Sequence, residues 1–184
     1  MLFTLKQIEQ CIAQDDFRVQ LLTQVNQLQL PDWYIAAGIV RNYLWDLVFD
    51  STSFAPINDV DVIYFCLNDT SEQTDLKYEK QLESINPNVK WSVKNQARMH
   101  LRNNDAPYKS SLNAMKYWPE VQTAIGITLD NNSEIKAVSP FSDRLKMNCI
   151  TRNPIKNNLE VFEQRLASHK WLECWPELQV ERHF

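Results

Sequence analysis

The sequence predicts an α/β fold in which a mixed, twisted sheet has helices packed mainly on one side. Short runs of β-branched and aromatic residues bounded by turn residues indicate the strands. Longer segments whose apolar residues recur at helical spacing indicate the helices. The predicted strands are residues 33–37, 59–66, 89–97, 121–129 and 134–138.

The predicted helices rest on the same kind of spacing. In the segment 39–49, apolar side chains at positions 39, 40, 43, 44, 47 and 48 would form one face of a helix. The polar connection 50–58 is interpreted either as a loop that closes over a ligand or as an inert turn. The other predicted helices are 4–29 with a break at Asp15-Asp16, 73–85, a short helix capped by Ser110 or Ser111, a helix from Ser142 or Asp143 through Ile150, and 158–172.

Length and composition limit the class of protein. A chain of 184 residues with 44% hydrophobic residues suits a single domain with a sizeable core, so we expect one domain over 1–184 with helical additions at both ends. The formal net charge of −4 argues against general nucleic-acid binding through a basic surface. We expect no membrane partner, because no apolar run approaches the roughly 18 residues that span a bilayer.

The four cysteines are Cys11, Cys66, Cys149 and Cys174. They are scattered, without Cys-x-x-Cys pairs or neighbouring histidines, which indicates neither a zinc site nor a disulfide framework. The N-terminus also lacks a signal-peptide pattern. These features favour reduced thiols and a cytoplasmic location. The sequence leaves the oligomeric state open.

Two carboxylates, Asp59 and Asp61, stand two residues apart in the predicted strand 59–66. Alternate side chains of a strand share a face, so both acids would project together while Val60 and Val62 enter the core. Like charges on one face repel each other, and a divalent cation removes the conflict because hard cations prefer carboxylate oxygens. The alternative interpretation is a solvated face of an exposed strand.

Gly38 lies between the predicted strand 33–37 and the helix 39–49, and it is one of only two glycines in the chain. A residue without a side chain lets a ligand approach the backbone closely. The N-terminus of a helix also offers free N–H groups to a phosphate. A phosphate-binding turn followed by a paired-carboxylate strand is therefore more informative than either feature alone.

The run Ala37-Gly38-Ile39-Val40-Arg41-Asn42, followed by Asp59-Val60-Asp61, resembles the nucleotidyltransferase superfamily that includes DNA polymerase beta and the tRNA CCA-adding enzymes. The CCA-adding branch has Gly-Gly-x-Val-Arg-Asp, so this chain departs from it at Ala37 and Asn42. The blocks 93–100, 118–119 and 139–141 extend the similarity to bacterial nucleotidyltransferase family proteins of unestablished substrate, over nearly the whole chain. The resemblance implies a sheet of the nucleotidyltransferase type.

The resemblance also implies a reaction, the transfer of a nucleotidyl group from an NTP to an unknown acceptor hydroxyl. By this resemblance, Asp59 and Asp61 would be the catalytic carboxylates and would hold Mg²⁺ (or Mn²⁺). Gly38, Arg41 and Asn42 would bind the nucleotide.

One departure from the superfamily affects catalysis. A third carboxylate usually lies on the strand that follows the Asp-x-Asp strand, and here Ser92 or Lys94 stands at that place. Asp105, in a predicted loop, is a spare candidate for this acid. A second hypothesis is therefore a nucleotide- or partner-binding module on the same fold without turnover.

Lys94 and Arg98 are four residues apart, so on one continuous strand they would share the face that Asp59 and Asp61 occupy on the neighbouring strand. One interpretation is cross-strand charge pairing, worth about 0.2–1 kcal/mol per pair. The functional interpretation is that Lys94 and Arg98 bind phosphate oxygens of the nucleotide while the two acids hold the metal.

Overall fold

The structure is a computed structural model that describes residues 1–51, 57–141, 143–156 and 158–182. Its strands are β1 (Leu2–Thr4), β2 (Tyr34–Ala36), β3 (Val60–Tyr64), β4 (Trp91–Asn95), β5 (Gly126–Leu129), β6 (Ile135–Val138), β7 (Arg144–Lys146), β8 (Cys149–Thr151) and β9 (Gln179–Glu181). Its helices are α1 (Leu5–Ala13), α2 (Asp16–Asn26), α3 (Gly38–Val48), α4 (Glu72–Ile85), α5 (Gln96–Asn103), α6 (Ser111–Met115), α7 (Leu159–His169) and α8 (Trp171–Cys174).

A five-stranded sheet in the order β4-β3-β2-β5-β6 forms the centre of the fold. Strands β3 and β4 run parallel, whereas the other neighbouring pairs run antiparallel. A parallel pair needs a crossover connection, and α4 supplies it between β3 and β4. The mixed α/β fold predicted from the sequence is confirmed.

One face of this sheet carries the main core. Ile35, Val60, Val62, Val93 and Ile127 are completely buried there. Helices α1 to α4 and the C-terminal helices α7 and α8 contribute further large apolar residues to the same cluster. Because burying one such side chain is worth about 1.5–3 kcal/mol, this face fixes the register of the strands.

The opposite face of the sheet is covered more sparsely. It carries a small apolar cluster that contains Ala36, Ile63, Met115 and Ala124. Since side chains alternate along a strand, the residue between Val60 and Val62 must point toward this second face. The sparse covering leaves room there for polar side chains.

Local side-chain contacts set the ends of several helices. The Asp15 carboxylate accepts a hydrogen bond from the backbone N–H of Arg18 at 2.7 Å and begins α2. The predicted break between the first two helices is therefore confirmed. Ser110 accepts a hydrogen bond from the N–H of Asn113 at 2.9 Å and begins α6, as the sequence predicted.

Two predicted elements are wrong. The predicted strand 121–129 begins only at Gly126, because Thr123 and Ala124 form a turn before it. The helix predicted from Asp143 through Ile150 is replaced by β7 and β8. Here Leu145, Met147 and Cys149 are buried at every second position, which is the periodicity of a strand. The proposed cap Ser142, and residues 52–56 of the predicted connection 50–58, lie outside the described residues.

Two small sheets attach the chain ends to the body. Strand β1 pairs with β7 in antiparallel orientation, and β8 pairs with β9 in parallel orientation. Among the described helices, none combines the length and the apolar character needed to cross a bilayer.

Candidate active site

Asp61 lies on the sparsely covered face of the sheet. In the register of β3 it stands opposite Ala36 on β2 and Ser92 on β4. Asp59 immediately precedes β3, and both carboxylates line the same cleft. Their flanking valines, Val60 and Val62, are completely buried in the core. The structure therefore brings the two acids together in the way the sequence predicted.

The environment of Asp61 disfavours its charge. Burial, together with the neighbouring Asp59 carboxylate, raises the pKa of Asp61 from 3.8 to about 6. A hydrogen bond with the Ser92 side chain and the charges of Arg41 and Arg165 act in the opposite direction, but they do not offset the burial. Asp61 is thus a half-buried acid beside a second acid, a pairing that a cation would stabilise.

The turn between β2 and α3 holds a non-glycine residue in a conformation typical of glycine. Ala37, at the N-cap of α3, has φ 61° and ψ −128°. Its N–H donates to the carbonyl of Ile125 at 3.3 Å, and its own carbonyl accepts from the N–H groups of Val40 and Arg41 at 3.2 and 3.0 Å. The turn that starts α3 is therefore built on a residue under backbone strain.

We expect Ala37→Gly to stabilise the protein. Release of the strained backbone should outweigh the larger entropy loss of glycine, for a net gain of about 1 kcal/mol and a rise in Tm of about 2–4 °C. Thermal unfolding measures the change. Ala36→Gly is the matched control, since Ala36 is a completely buried strand residue whose replacement should lower Tm. A lower Tm for Ala37→Gly than for the wild type would contradict the inferred backbone strain at Ala37.

The acids and the N-terminus of α3 face a cleft of about 500 Å³, here called the α3 cleft. Among its lining residues are all five that the sequence predicted around the glycine turn and the strand, namely Gly38, Arg41, Asn42, Asp59 and Asp61. Its far wall is supplied by the C-terminal helices, through Arg165, His169 and Trp171. The cleft has the size of a site for one small molecule.

Arg41 is the central cation of the α3 cleft. Its Nη1 donates to Thr123 Oγ1 at 2.6 Å, and its Nη2 donates to Asn42 Oδ1 at 2.9 Å. Its guanidinium lies 4.6 Å from the ring centre of Trp171 and 4.9 Å from that of Trp45. Burial lowers the pKa of Arg41 to about 10, so it remains charged at neutral pH. A buried, preorganised cation of this kind suits an anionic ligand.

Glu120 and Arg165 form a second charged pair beside Arg41. Glu120 is completely buried and accepts hydrogen bonds from Arg165 Nε at 2.5 Å and Nη2 at 3.2 Å. The charge of Glu120 also favours the charged form of Arg41. Neither Arg165 nor Glu120 was among the site residues predicted from the sequence.

His169 and Trp171 complete this wall with stacked rings, 4.9 Å apart between centres. Burial, followed by the charges of Arg165 and Arg41, lowers the pKa of His169. The imidazole is therefore neutral near pH 7. These two residues were also absent from the site predicted from the sequence.

A second cleft of about 550 Å³, here called the α5 cleft, meets the α3 cleft at Asp61, Arg102, Thr123 and Arg165. Lys94 lines the α5 cleft, but its Nζ is paired with Glu79 Oε1 of α4 at 2.8 Å.

The prediction that Lys94 and Arg98 share a strand is wrong. Strand β4 ends at Asn95, whose side chain accepts a hydrogen bond from the N–H of Ala97 and begins α5. Arg98 consequently lies on a helix and contacts Asp75 at 2.6 Å and Glu72 at 3.7 Å. It lines neither cleft. The partners of both cations lie on α4, so cross-strand pairing with Asp59 and Asp61 is also wrong.

The described residues hold no group of three acids, cysteines or histidines arranged to bind a metal. The place of the third carboxylate is taken by Ser92, which pairs with Asp61 in the parallel register. Asp105, the spare candidate, is bound by Lys156 Nζ at 2.9 Å and by the Tyr108 hydroxyl. It lines neither cleft. The acidic centre of the site is therefore the pair of carboxylates Asp59 and Asp61.

A mixed sheet with Asp61 on β3 and Asp59 just before it, facing the glycine turn that opens α3, is the arrangement expected of a nucleotidyltransferase-type domain. A family model for nucleotidyltransferases matches residues 23–180. The chain therefore belongs to the nucleotidyltransferase family. No similar protein is found among the curated sequences.

Two solved structures are similar to this chain. An NMR structure described as revealing a CCA-adding enzyme head domain shares 30% sequence identity, with a TM-score of 0.81 over 97% of this chain and 96% of that one. The complex of a CCA-adding enzyme with CTP shares 11% identity, with a TM-score of 0.55 over 98% of this chain and 44% of that one. The second similarity shows a shared fold.

Proposed function

We propose that residues 1–184 act as one nucleotidyltransferase-like domain that moves a nucleotidyl group from an NTP to an acceptor hydroxyl. The acceptor oxygen forms a bond to the α-phosphorus and releases its proton to water. The bond from that phosphorus to the bridging oxygen breaks, and pyrophosphate leaves with the electron pair. The observation that carries the proposal is the α3 cleft, where Asp59 and Asp61 face the N-terminus of α3.

The two carboxylates fit a divalent cation such as Mg²⁺ or Mn²⁺. Their oxygens are the hard ligands that these ions prefer, and Asp61 is a half-buried acid whose charge the environment disfavours. A bound cation would neutralise phosphate charge and lower the barrier to displacement. Asp59 and Asp61 would hold it, and Ser92 fixes the Asp61 carboxylate by a hydrogen bond.

Gly38 supports phosphate binding because the fold itself does not require a glycine there. Its φ is not positive, and an added Cβ would meet its nearest neighbour, Arg41 Nη2, at an ordinary 3.7 Å. The position is open toward the cleft, where free N–H groups of α3 suit an anion. We assign the terminal phosphates to Gly38, Arg41 and Asn42, with Arg165 on the opposite wall.

This proposal does not assign Lys94 and Arg98 to nucleotide binding, in contrast to the sequence prediction. Both cations are engaged by carboxylates of α4, at 2.8 Å for Lys94 and 2.6 Å for Arg98. We assign them the role of fixing β4 and α5 against α4. This keeps Ser92 beside Asp61.

We further propose that the protein works in the cytoplasm. All four cysteines are free thiols, and burial raises the pKa of Cys11 and Cys149. Protonated, partly buried thiols are typical of proteins in a reducing compartment.

The double variant Asp59→Asn/Asp61→Asn tests the proposal. Titration calorimetry of the wild type with each of the four NTPs and Mg²⁺ should show binding, and the double variant should lose it by a factor of 100 or so. A matched control is Asp16→Asn/Asp143→Asn, which removes two exposed carboxylates outside both clefts. Unchanged affinity in the site variant would contradict the metal role.

Binding without turnover is a second candidate function, favoured by Ser92 at the position of the third carboxylate. The two functions separate in an assay with α-labelled NTPs, Mg²⁺ or Mn²⁺ and a cell extract. Label transferred by the wild type and not by the double variant establishes transfer. Calorimetric binding with no transferred label and no pyrophosphate release favours the binding module.

A further inference from the structure

The α5 cleft lies beside the proposed nucleotide site and opens onto the same carboxylate. Asp61, Arg102, Thr123 and Arg165 line both clefts. Gly38 and Asp59 belong to the α3 cleft alone, whereas Lys94 and Trp118 belong to the α5 cleft alone. In the proposed transfer the acceptor hydroxyl must reach the α-phosphorus at the metal-holding acids. The α5 cleft gives a second molecule access to that point.

The charged side chains of the α5 cleft are mostly positive. Its cations are Lys94, Arg102, Lys156 and Arg165, and Asp61 is its only lining carboxylate among the described residues. The protein as a whole carries a formal net charge of −4, so this local excess runs against the overall composition. Such a cleft favours an anion over a neutral or cationic molecule.

Three of these cations already have carboxylate partners. Lys94 pairs with Glu79 at 2.8 Å, Lys156 with Asp105 at 2.9 Å, and Arg165 with Glu120 at 2.5 Å.

Arg102, in the last turn of α5, is the exception. It has no hydrogen-bond or ion-pair partner within residues 1–51, 57–141, 143–156 and 158–182. A guanidinium group binds phosphate and carboxylate oxygens through a fork of N–H groups, and this one is available.

The uncharged part of the wall combines polar side chains with apolar and aromatic ones. The half-buried side chains of Met99, Tyr117 and Trp118 face the α5 cleft. Tyr117 is held in place by stacking on Tyr108, with ring centres 5.3 Å apart. A volume of about 550 Å³ corresponds to a small molecule, and the rings suit a planar or hydrocarbon body.

We propose that the acceptor is a small molecule that carries an oxyanion, phosphate or carboxylate, on a partly apolar body. Arg102 binds the oxyanion, Trp118 contacts the body, and the free hydroxyl of the acceptor reaches the nucleotide beside Asp61. This inference rests on the proposed nucleotidyl transfer and adds the chemical class of its second substrate.

Three probes that share a phenyl ring test the class. Phenyl phosphate, benzoate and benzyl alcohol are titrated into ¹⁵N-tryptophan-labelled protein, with and without a non-cleavable α,β-methylene NTP and Mg²⁺. The Trp118 Nε1–H resonance, assigned with Trp118→Phe, reports the α5 cleft. At least one anion should shift it saturably in the presence of the nucleotide analogue, and benzyl alcohol should bind about tenfold more weakly.

Arg102→Gln should weaken binding of that anion at least about fivefold. The control Lys109→Gln, which removes an exposed cation outside both clefts, should leave it unchanged. Binding of phenyl phosphate alone identifies a phosphate ester, binding of benzoate alone a carboxylic acid, and binding of both a general oxyanion site.

Several results would overturn the inference. These are equal binding of benzyl alcohol, no shift of Trp118 with either anion, displacement of the anion by the nucleotide analogue, or an Arg102→Gln effect on nucleotide affinity alone. The proposed nucleotidyl transfer can be refuted independently of the anion site. If Mg²⁺–NTP does not bind but an anion still shifts Trp118 in an Arg102-dependent way, the anion site stands and nucleotidyl transfer does not.

Discussion

Asp61→Asn is expected to raise the Tm of the ligand-free protein by several degrees while it removes Mg²⁺-dependent NTP binding. The two effects have opposite signs because the ionised carboxylate destabilises the folded protein, whereas binding of Mg²⁺ and NTP requires it. In the folded protein, burial and Asp59 raise the pKa of Asp61 to about 6, against an ordinary value of 3.8. This difference corresponds to a cost on the order of 3 kcal/mol at neutral pH.

The dependence on pH follows from the direction of that shift. Above pH 6 the side chain is ionised in both the folded and the unfolded states, and the full cost is present. As pH falls through 6 the folded protein takes up a proton first, and the cost declines until it disappears below 3.8. The stability advantage of Asp61→Asn over wild type should therefore be largest near pH 7 and small near pH 4.

Thermal unfolding followed by calorimetry at pH 7 and at pH 4 measures the stability advantage of Asp61→Asn. Titration with Mg²⁺ and NTP measures the loss of binding. The control is Asp143→Asn, an exposed acid outside both clefts, which should change neither quantity. If the Asp61→Asn protein is less stable at pH 7 than the wild type, the ionised carboxylate stabilises the folded protein, which contradicts this prediction.

The part of the site that could be predicted from the sequence is local in the chain. Asp59 and Asp61 were predicted to project together because alternation along a strand fixes their side once Val60 and Val62 are in the core. Gly38 was predicted because a rare residue stands at a strand-to-helix junction. These patterns need only a few neighbouring residues, and the structure places all three residues in one cleft.

The residues that sequence analysis missed depend on packing between distant segments. Glu120 meets Arg165 across 45 positions, and a polar helix face gives no sign that one of its arginines turns toward a buried acid. The prediction for Arg98 failed for a different reason. The apolar pattern of 89–97 continues smoothly, but the side chain of Asn95 caps a helix and ends the strand.

The same long-range pair gives the second large prediction. Glu120→Ala is expected to destabilise the protein by about 2–4 kcal/mol and to lower Tm by roughly 5–15 °C. Glu120 is completely buried, accepts two hydrogen bonds from Arg165, and favours the charge of the buried Arg41. Its removal leaves both guanidinium groups without that compensation. Because the Arg165 side chain is 30% exposed and can regain water, the loss should stay below the upper limit for a buried pair.

An exposed pair of the same geometry provides the control. Glu163 accepts hydrogen bonds from Arg182 Nε at 2.5 Å and Nη2 at 3.2 Å, the same distances as in the buried pair. Both side chains of this pair are more than 40% exposed, so Glu163→Ala should cost less than about 1 kcal/mol. Thermal and denaturant unfolding compare the two variants directly. Similar losses would show that burial contributes little to the Glu120 pair.

Removing Arg165 together with Glu120 separates a structural role of this pair from a role in positioning the nucleotide. In the double variant Glu120→Ala/Arg165→Ala, the uncompensated charge of Arg165 is gone, so the stability losses should be less than additive by about 1 kcal/mol or more. Nucleotide affinity should not recover, because Arg165 lines the α3 cleft and is held there by Glu120. Glu120→Gln, which keeps a hydrogen-bond acceptor for Arg165, should retain more of the affinity than Glu120→Ala. If all three variants bind Mg²⁺–NTP like the wild type, Glu120 and Arg165 stabilise the fold without positioning the nucleotide.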